Sequence, residues 1–368
     1  MTTIYQDRIG APIESIDTPF LKLDLDILEK NIRYISSYCR EHRCAWRPHS
    51  KAHKSPQIAH MQIAAGAIGI TCAKLSEAEL LVDHGIEHIL LANQLVTQAK
   101  WNRLGQLQTR SEVIATIEDL DIIPLAAEAA RHSGQSIPLL IELDIGMGRV
   151  GVEPGDKTLS LAQRIAETEG LSFRGLMGYE GHVLSVQPET AKKKACIEAI
   201  NYLLSSRDLL AKNGLNAEII SAGGTGSFAY TAAISGITEV QAGGGIFMDA
   251  KYRDEFHVSD LQVALTLLAS VTSRRPGQVV TDSGFKSMSA HHGSPQACGR
   301  NDLELKYLSA EHGVFTMAED APLPALGERL EFTLGYTDST TFLHDVFWGV
   351  RNGKVECVLP ILGRGLLT

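Results

Sequence analysis

The stretch IPLLIELDIGMGRVG, residues 137–151, begins as an apolar run of strand length and ends in a polar, glycine-rich turn. A strand covered on both faces of a parallel sheet has this appearance. The helical stretch KTLSLAQRIAETEG (157–170) follows it. The same unit recurs on either side. Upstream lie CAWRPH (44–49), IGITCAK (68–74), HILLANQ (88–94) and SEVIATIED (111–119). Helical stretches at 56–66, 76–85, 97–107 and 122–134 follow them in turn. Downstream, FRGLMGYEGH (173–182) leads into a long helical stretch at 190–214, and AEIISAGGTG (217–226) and TEVQAGGGIF (238–247) complete eight strands. Several helices end in Gly, the preferred residue just past a helix C-terminus. Strand–helix alternation predicts an α/β protein with a parallel sheet. Eight units over about 200–250 residues fit a closed (β/α)8 TIM-type barrel better than an open sheet.

Chemistry in such barrels sits at the C-terminal strand ends. Those ends read His49–Lys51, Cys72–Lys74, Asn93, Glu118, Asp144–Arg149, Tyr179–His182, Gly223–Gly226 and Gly243–Gly245, a polar and glycine-rich rim. Beyond about residue 260 strands follow one another without helices, in LQVALTLLASVTSRR, QVVTDSG, LKYLSAEHGVFTM, RLEFTLGYTDS and FWGVRNGKVECVLP. Asn352-Gly353 is a strong hairpin signal. The expected organisation is a barrel over 20–258 and a C-terminal β domain over 259–368, joined by residues 1–19. FLKLDLDILEKNI (20–32) reads as a strand running into a helix.

A net charge of −9 argues against a general nucleic-acid binder, which needs a broad basic surface. The longest apolar run, near Leu261–Val271, is about half the ~20 residues of a membrane span. The six cysteines form no CxxC pair, so no zinc ribbon or thioredoxin-like site is expected. MTTIYQDRIG lacks the apolar core of a secretory signal. A reduced, cytoplasmic protein is the expectation.

Against that acidic balance, RPHSKAHK (47–54) packs five basic side chains into eight residues. Pro48 disfavours a helix interior, so Lys51 falls where the first barrel strand exits. Arg47, His49, His53 and Lys54 would disfavour its ammonium form, as would partial burial. A neutral lysine amine forms Schiff bases with carbonyls, pyridoxal phosphate included. A solvated basic loop is the plain alternative. ISAGGTGSF (220–228) and VQAGGGIFM (240–248) shift the balance, because glycine loops after the last strands let backbone N–H groups approach a phosphate. Aldehyde chemistry at the first strand and phosphate binding at the last two suggest pyridoxal phosphate. Arg149 is placed to meet the cofactor's phenolic oxygen, or else to pair with a carboxylate such as Asp144. Tyr179 is a candidate contact to cofactor or substrate, or a packed rim residue.

RPHSKAHK, DIGMGRVGV, GGTGS, QAGGGIFMD, DSGFKS (282–287), SAEHG (309–313) and the LHD at 343–345 together resemble the D-threonine aldolase family. That group also holds 3-hydroxy-D-aspartate aldolases and D-serine dehydratases. The likeness runs in order from about Thr18 to the C-terminus. It implies the alanine racemase-like, fold-type III architecture, pyridoxal 5'-phosphate, an amino-acid substrate and a homodimer. By the match Lys51 is the Schiff-base lysine and Arg149 the arginine at the cofactor oxygen. His49 and Tyr179 join the cofactor-binding set, and Gly224, Thr225, Gly226, Gly243 and Gly244 cradle the phosphate. Glu311-His312 and His344-Asp345 match family motifs and read equally well as packing and structural hydrogen bonds.

Two departures bear on the reaction. Metal-dependent members carry His-x-Asp or His-x-Cys in the C-terminal domain for a divalent ion (Mn, Mg or Zn). The corresponding segment here is Tyr336-Thr337-Asp338, which leaves Asp338 without its usual histidine partner. The histidine that aldolases place a few residues past the sixth-strand tyrosine is absent, and His182 stands nearer instead. The family favours retro-aldol cleavage of a D-3-hydroxy amino acid to glycine and an aldehyde. A dehydratase giving a keto acid and ammonia stays open. So does a racemase using Tyr336 opposite Lys51. A non-catalytic pyridoxal phosphate carrier is a further class, and the long β domain argues against it. His291-His292 reads as a surface loop and Lys192–Lys194 as a solvated helix face.

Overall fold

The computed structural model describes residues 3–368. They form two compact units, one of residues 3–34, 52–58 and 244–365, the other of Ile35–Lys51, Ala59–Gly243 and Leu366–Thr368. In chain order the first elements are α1 (Thr3–Gln6), β1 (Phe20–Asp24) and α2 (Leu25–Glu41).

The second unit is the barrel. Its strands are β2 (Ala45–Trp46), β3 (Ile70–Cys72), β4 (Ile89–Gln94), β5 (Val113–Ile117), β6 (Ile137–Leu143), β7 (Leu171–Gly178), β8 (Ile219–Ala222) and β9 (Glu239–Val240). The intervening helices are α3 (Pro56–Ala64), α4 (Leu75–Asp83), α5 (Gln98–Leu107), α6 (Ile123–Ser133), α7 (Asp156–Glu167), α8 (Glu189–Lys212) and the short α9 (Phe228–Thr231). All eight strands coincide with the runs read from the sequence. They pair in parallel in the order β2-β9-β8-β7-β6-β5-β4-β3. A bridge between His49 and Thr71 closes the ring, and Thr71 N–H donates to Pro48 C=O at 2.9 Å. Apolar side chains fill the bore, with Leu90, Ile114, Leu140 and Met177 forming one buried layer. Amphipathic members of the intervening helices turn an apolar stripe inward. In α7 the buried positions are Thr158, Leu161, Ala162 and Ile165, spaced at helical period.

The first unit is a mixed sheet. After α9 come β10 (Leu265–Arg275), β11 (Gln278–Thr281), β12 (Gln296–Ala297), β13 (Glu304–Leu308), β14 (Gly313–Thr316), β15 (Arg329–Thr333), α10 (Thr337–Thr341), β16 (Val346–Arg351) and β17 (Lys354–Pro360). The main order is β13-β14-β11-β10-β1-β16-β17, with β15 joining β10 to β12. Its core gathers Ile13, Ile16, Phe20, Leu268, Val346, Trp348, Val350 and Val355. Asn352 and Gly353 both take positive φ, 51° and 71°, as the β16–β17 turn requires.

The sequence expectation and the two units part at the ends of the barrel. β1, expected with residues 20–258, pairs antiparallel with β10 and parallel with β16. Residues 244–258 also belong to the mixed-sheet unit. RLEFTLGYTDS is strand only to Thr333, and Tyr336 begins a short helix.

Candidate active site

Lys51 lies in a single helical turn, Ser50–Ala52, just past β2. Its backbone N–H donates to His49 Nδ1 at 3.3 Å, so a neutral His49 ring carries its proton on Nε2. Arg47 does not join this group. Its guanidinium is buried against Glu239 at 3.0 Å and donates to His88 C=O at 2.7 Å. Its charge is spent in an ion pair at the start of β9, and it cannot tune Lys51 as expected. His53 is fully buried and accepts from Ser55 N–H, while Lys54 C=O accepts from Gly363 N–H.

Beyond β6 the chain doubles back. Val152 N–H donates to Glu142 C=O at 2.8 Å, and Asp144 N–H donates to Val152 C=O at 3.1 Å. The Asp144 carboxylate accepts from Gly146 and Gly148 N–H, both at 3.0 Å. The Gly148 amide leads the causes that hold its carboxyl below the usual range. Asp144 is therefore not the partner of Arg149. That guanidinium lies 5.7 Å from the centre of the Tyr179 ring, with Nη2 4.0 Å from Glu142. His182 packs over the same turn: a Cβ on Gly146 would sit 2.7 Å from its Nε2.

The glycine loops close the rim. Gly224 N–H donates to Ser227 Oγ at 3.2 Å, and Thr225 is buried. A Cβ on Gly224 would come within 2.9 Å of the Tyr179 ring, so only glycine lets that ring lie on the loop. A Cβ on Gly243 would meet His49 C=O at 2.1 Å. Buried Glu180 fastens the loop from below, accepting from Gly223 N–H at 3.2 Å and Thr231 Oγ1 at 2.5 Å. The rim thus offers an amine, a guanidinium over an aromatic face, and glycine loops with adjacent hydroxyls. This donor set fits an aldehyde carrying a phenolic oxygen and a phosphate. Gly244 belongs to the other unit, where its C=O accepts from Phe247 and Met248 N–H. Glu142, Gln94 and Glu180 went unmarked in the sequence. For Glu142 the available signal was a carboxylate inside an otherwise apolar strand.

The remaining expected residues lie in the mixed-sheet unit. Tyr336 OH donates to Asp338 at 3.0 Å, and the Tyr336 ring lies 6.2 Å from Tyr252 and 6.0 Å from His292. His291 and His292 are exposed. Buried Asp249 holds the turn, accepting from Thr337 N–H, Thr337 Oγ1 and Tyr252 N–H at 2.8–3.0 Å. Among the described residues no group of three or more His, Cys, Asp or Glu side chains is arranged to hold a metal ion. One carboxylate already bonded to a phenol does not supply the oxygen cage of a divalent cation. His344 is half-buried and reads as structural, with Nε2 2.7 Å from Ser287 C=O. Lys192 is not solvated as expected but 3 % exposed, and burial pushes its pKa down.

Burial lifts the Asp249 carboxyl to about 6, against the bonds from Thr337 and Tyr252 and with Asp338 adding to the rise. The unfolded value is about 3.9. The group's contribution is thus full below about pH 4 and fades as pH rises through about 6. Compared with Asp249→Asn, the wild type is expected to lose about 3 kcal/mol of relative stability from about pH 4 to about pH 7, read by denaturant unfolding at both.

The alanine racemase N-terminal domain profile matches residues 23–251, and a serine dehydratase domain profile matches 264–350. The chain is 36 % identical over 359 residues to a D-threonine aldolase from Arthrobacter sp, covering 97 % of this chain and 95 % of that one. The chain belongs to the D-threonine aldolase family. A second member, the 3-hydroxy-D-aspartate aldolase of Paracoccus denitrificans strain Pd 1222, is 35 % identical, covering 97 % of this chain and 94 % of its own. The crystal structure of the family's D-threonine aldolase from Filomicrobium marinum superposes with a TM-score of 0.95 at 36 % identity, covering 98 % of this chain and 99 % of that one. The alanine racemase-like architecture expected for the family is thereby established.

Proposed function

We propose that this member of the D-threonine aldolase family is a pyridoxal phosphate-dependent lyase that cleaves a D-3-hydroxy amino acid to glycine and an aldehyde. The observation that carries the reading is the rim of one barrel, where Lys51, Arg149, Tyr179 and two glycine loops stand at the C-terminal strand ends. Full-length likeness to two aldolases supports the choice of bond. The cofactor, when bound, supplies an electron sink for charge at the substrate's α-carbon. Lys51 would be its attachment point. Arg149 would meet the phenolic oxygen, and Gly224, Thr225, Gly226, Gly243 and Gly244 would take the phosphate. Tyr179 and His49 would contribute further contacts to the cofactor.

His182 is the proposed base. Its Nε2 takes the β-hydroxyl proton, the Cα–Cβ bond breaks with its pair left on Cα, the aldehyde departs, and a proton returned to Cα completes glycine. No step is routed through a metal at Asp338. Tyr336 is kept as a proton-handling candidate. In this reading the protein is a cytoplasmic homodimer, which the free cysteines and the family likeness support. No helix among the described residues is long and apolar enough to cross a membrane.

The test is incubation of the purified protein with pyridoxal phosphate and D-threonine. Glycine and acetaldehyde in equal amounts are expected. A keto acid with ammonia would make it a dehydratase, and inversion at the α-carbon a racemase.

A further inference from the structure

Glu142 stands where a barrel bore calls for an apolar side chain. It follows Leu140 by two residues on β6, so it points to the same face, one layer nearer the mouth than Leu90, Ile114, Leu140 and Met177. It is 4 % exposed. A carboxylate taken out of water there is costly unless paired, and an apolar residue of like volume would serve stability as well. Burial does push its carboxyl up, and the nearby Glu118 adds to the rise; Arg149 and Gln94 oppose it.

Its two oxygens are divided between two partners. Oε2 accepts from Gln94 Nε2 at 2.8 Å, which fixes the carboxylate. Oε1 faces Arg149 Nη2 at 4.0 Å. Arg149 itself is 56 % exposed, with the Tyr179 ring beneath it at 5.7 Å. The backbone repeats the arrangement, since Val152 N–H bonds to Glu142 C=O and ties down the turn that carries Arg149.

We infer that Glu142 is a positioning residue for Arg149, a buried carboxylate braced by Gln94 that holds the guanidinium over Tyr179 where it meets the cofactor's phenolic oxygen. The inference rests on the cofactor reading above. An exposed arginine without such an anchor samples many rotamers, and ordering it would weaken binding. Glu142 sets the affinity through Arg149 without touching the cofactor.

The experiment is a titration of the cofactor-stripped, full-length protein with pyridoxal phosphate, read by visible absorbance and tryptophan fluorescence. Glu142→Gln keeps the volume and an oxygen for Gln94 but removes the charge. It is expected to weaken cofactor binding on the order of tenfold, with Arg149→Lys doing the same and the double variant no worse than either single one. Wild-type affinity in Glu142→Gln, or additive losses in the double variant, would overturn the inference while leaving the cofactor reading intact. If the wild type itself does not bind, both fall. Should Glu142→Gln fail to fold, Gln94→Met decides by the same criteria, since it leaves the carboxylate but removes its brace.

Discussion

Lys51→Ala is expected to keep the fold and lose the chemistry. The side chain is half-buried beyond the end of β2 and contributes little to the core. Its amine is the proposed attachment point for pyridoxal phosphate. Arg47 is committed to Glu239, and guanidinium is not a nucleophile at neutral pH. The glycine-forming activity on D-threonine should fall by at least about 10³-fold in kcat/KM, the scale on which activated nucleophiles and bases act. The visible absorbance of the reconstituted protein should be lost or altered, while circular dichroism stays as in the wild type. Retention of a tenth of the activity would remove Lys51 from the mechanism.

Gly243→Ala should do the reverse, injuring the barrel before the chemistry. The added methyl would lie 2.1 Å from His49 C=O and 2.8 Å from His49 N, both backbone atoms that cannot swing aside. The strand end that carries His49 is held from both sides, by Gln241 C=O at 3.1 Å and by the bridge to Thr71. Relief requires moving the strand, at a cost of about 3 kcal/mol or more. A thermal midpoint lowered by at least about 5 °C, with weaker cofactor binding, is the expected reading. A variant as stable as the wild type would mean that His49 and the glycine loop have room to part.

The barrel strands were legible because a strand buried on both faces is largely apolar and flanked by turn residues, as in Ile137–Leu143 with its all-buried pattern. Partner choice was not legible. FLKLD has the same look, yet its partners Leu265–Leu268 and Trp348–Val350 lie hundreds of residues away. Pairing at that range depends on which edges remain open, which no local pattern carries. The rim shows the same limit at side-chain scale. Asp144 is nearer to Arg149 in sequence, but the turn spends its carboxylate on two glycine amides, and the doubled-back chain offers Arg149 the more distant Glu142. Arg47 sits four residues from Lys51 but serves the start of β9. Tyr336 and Asp338 were visible as a departure, and their bond to each other was not.

The two-residue strand β2 is held at Ala45–Trp46 by Glu239–Val240, and on its other side it meets the β3 segment through the His49–Thr71 bridge and single bonds from Ile68 N–H to Trp46 C=O and from Thr71 N–H to Pro48 C=O. The ring therefore has a seam, and Lys51 lies at its end. A chain growing from the ribosome cannot pair β2 with β9 until residues near 240 have been made. Non-local pairing of this kind forms late and slowly. The amine proposed to hold the cofactor takes its place at the rim only as the circle shuts, so assembly of the site is tied to closure of the barrel.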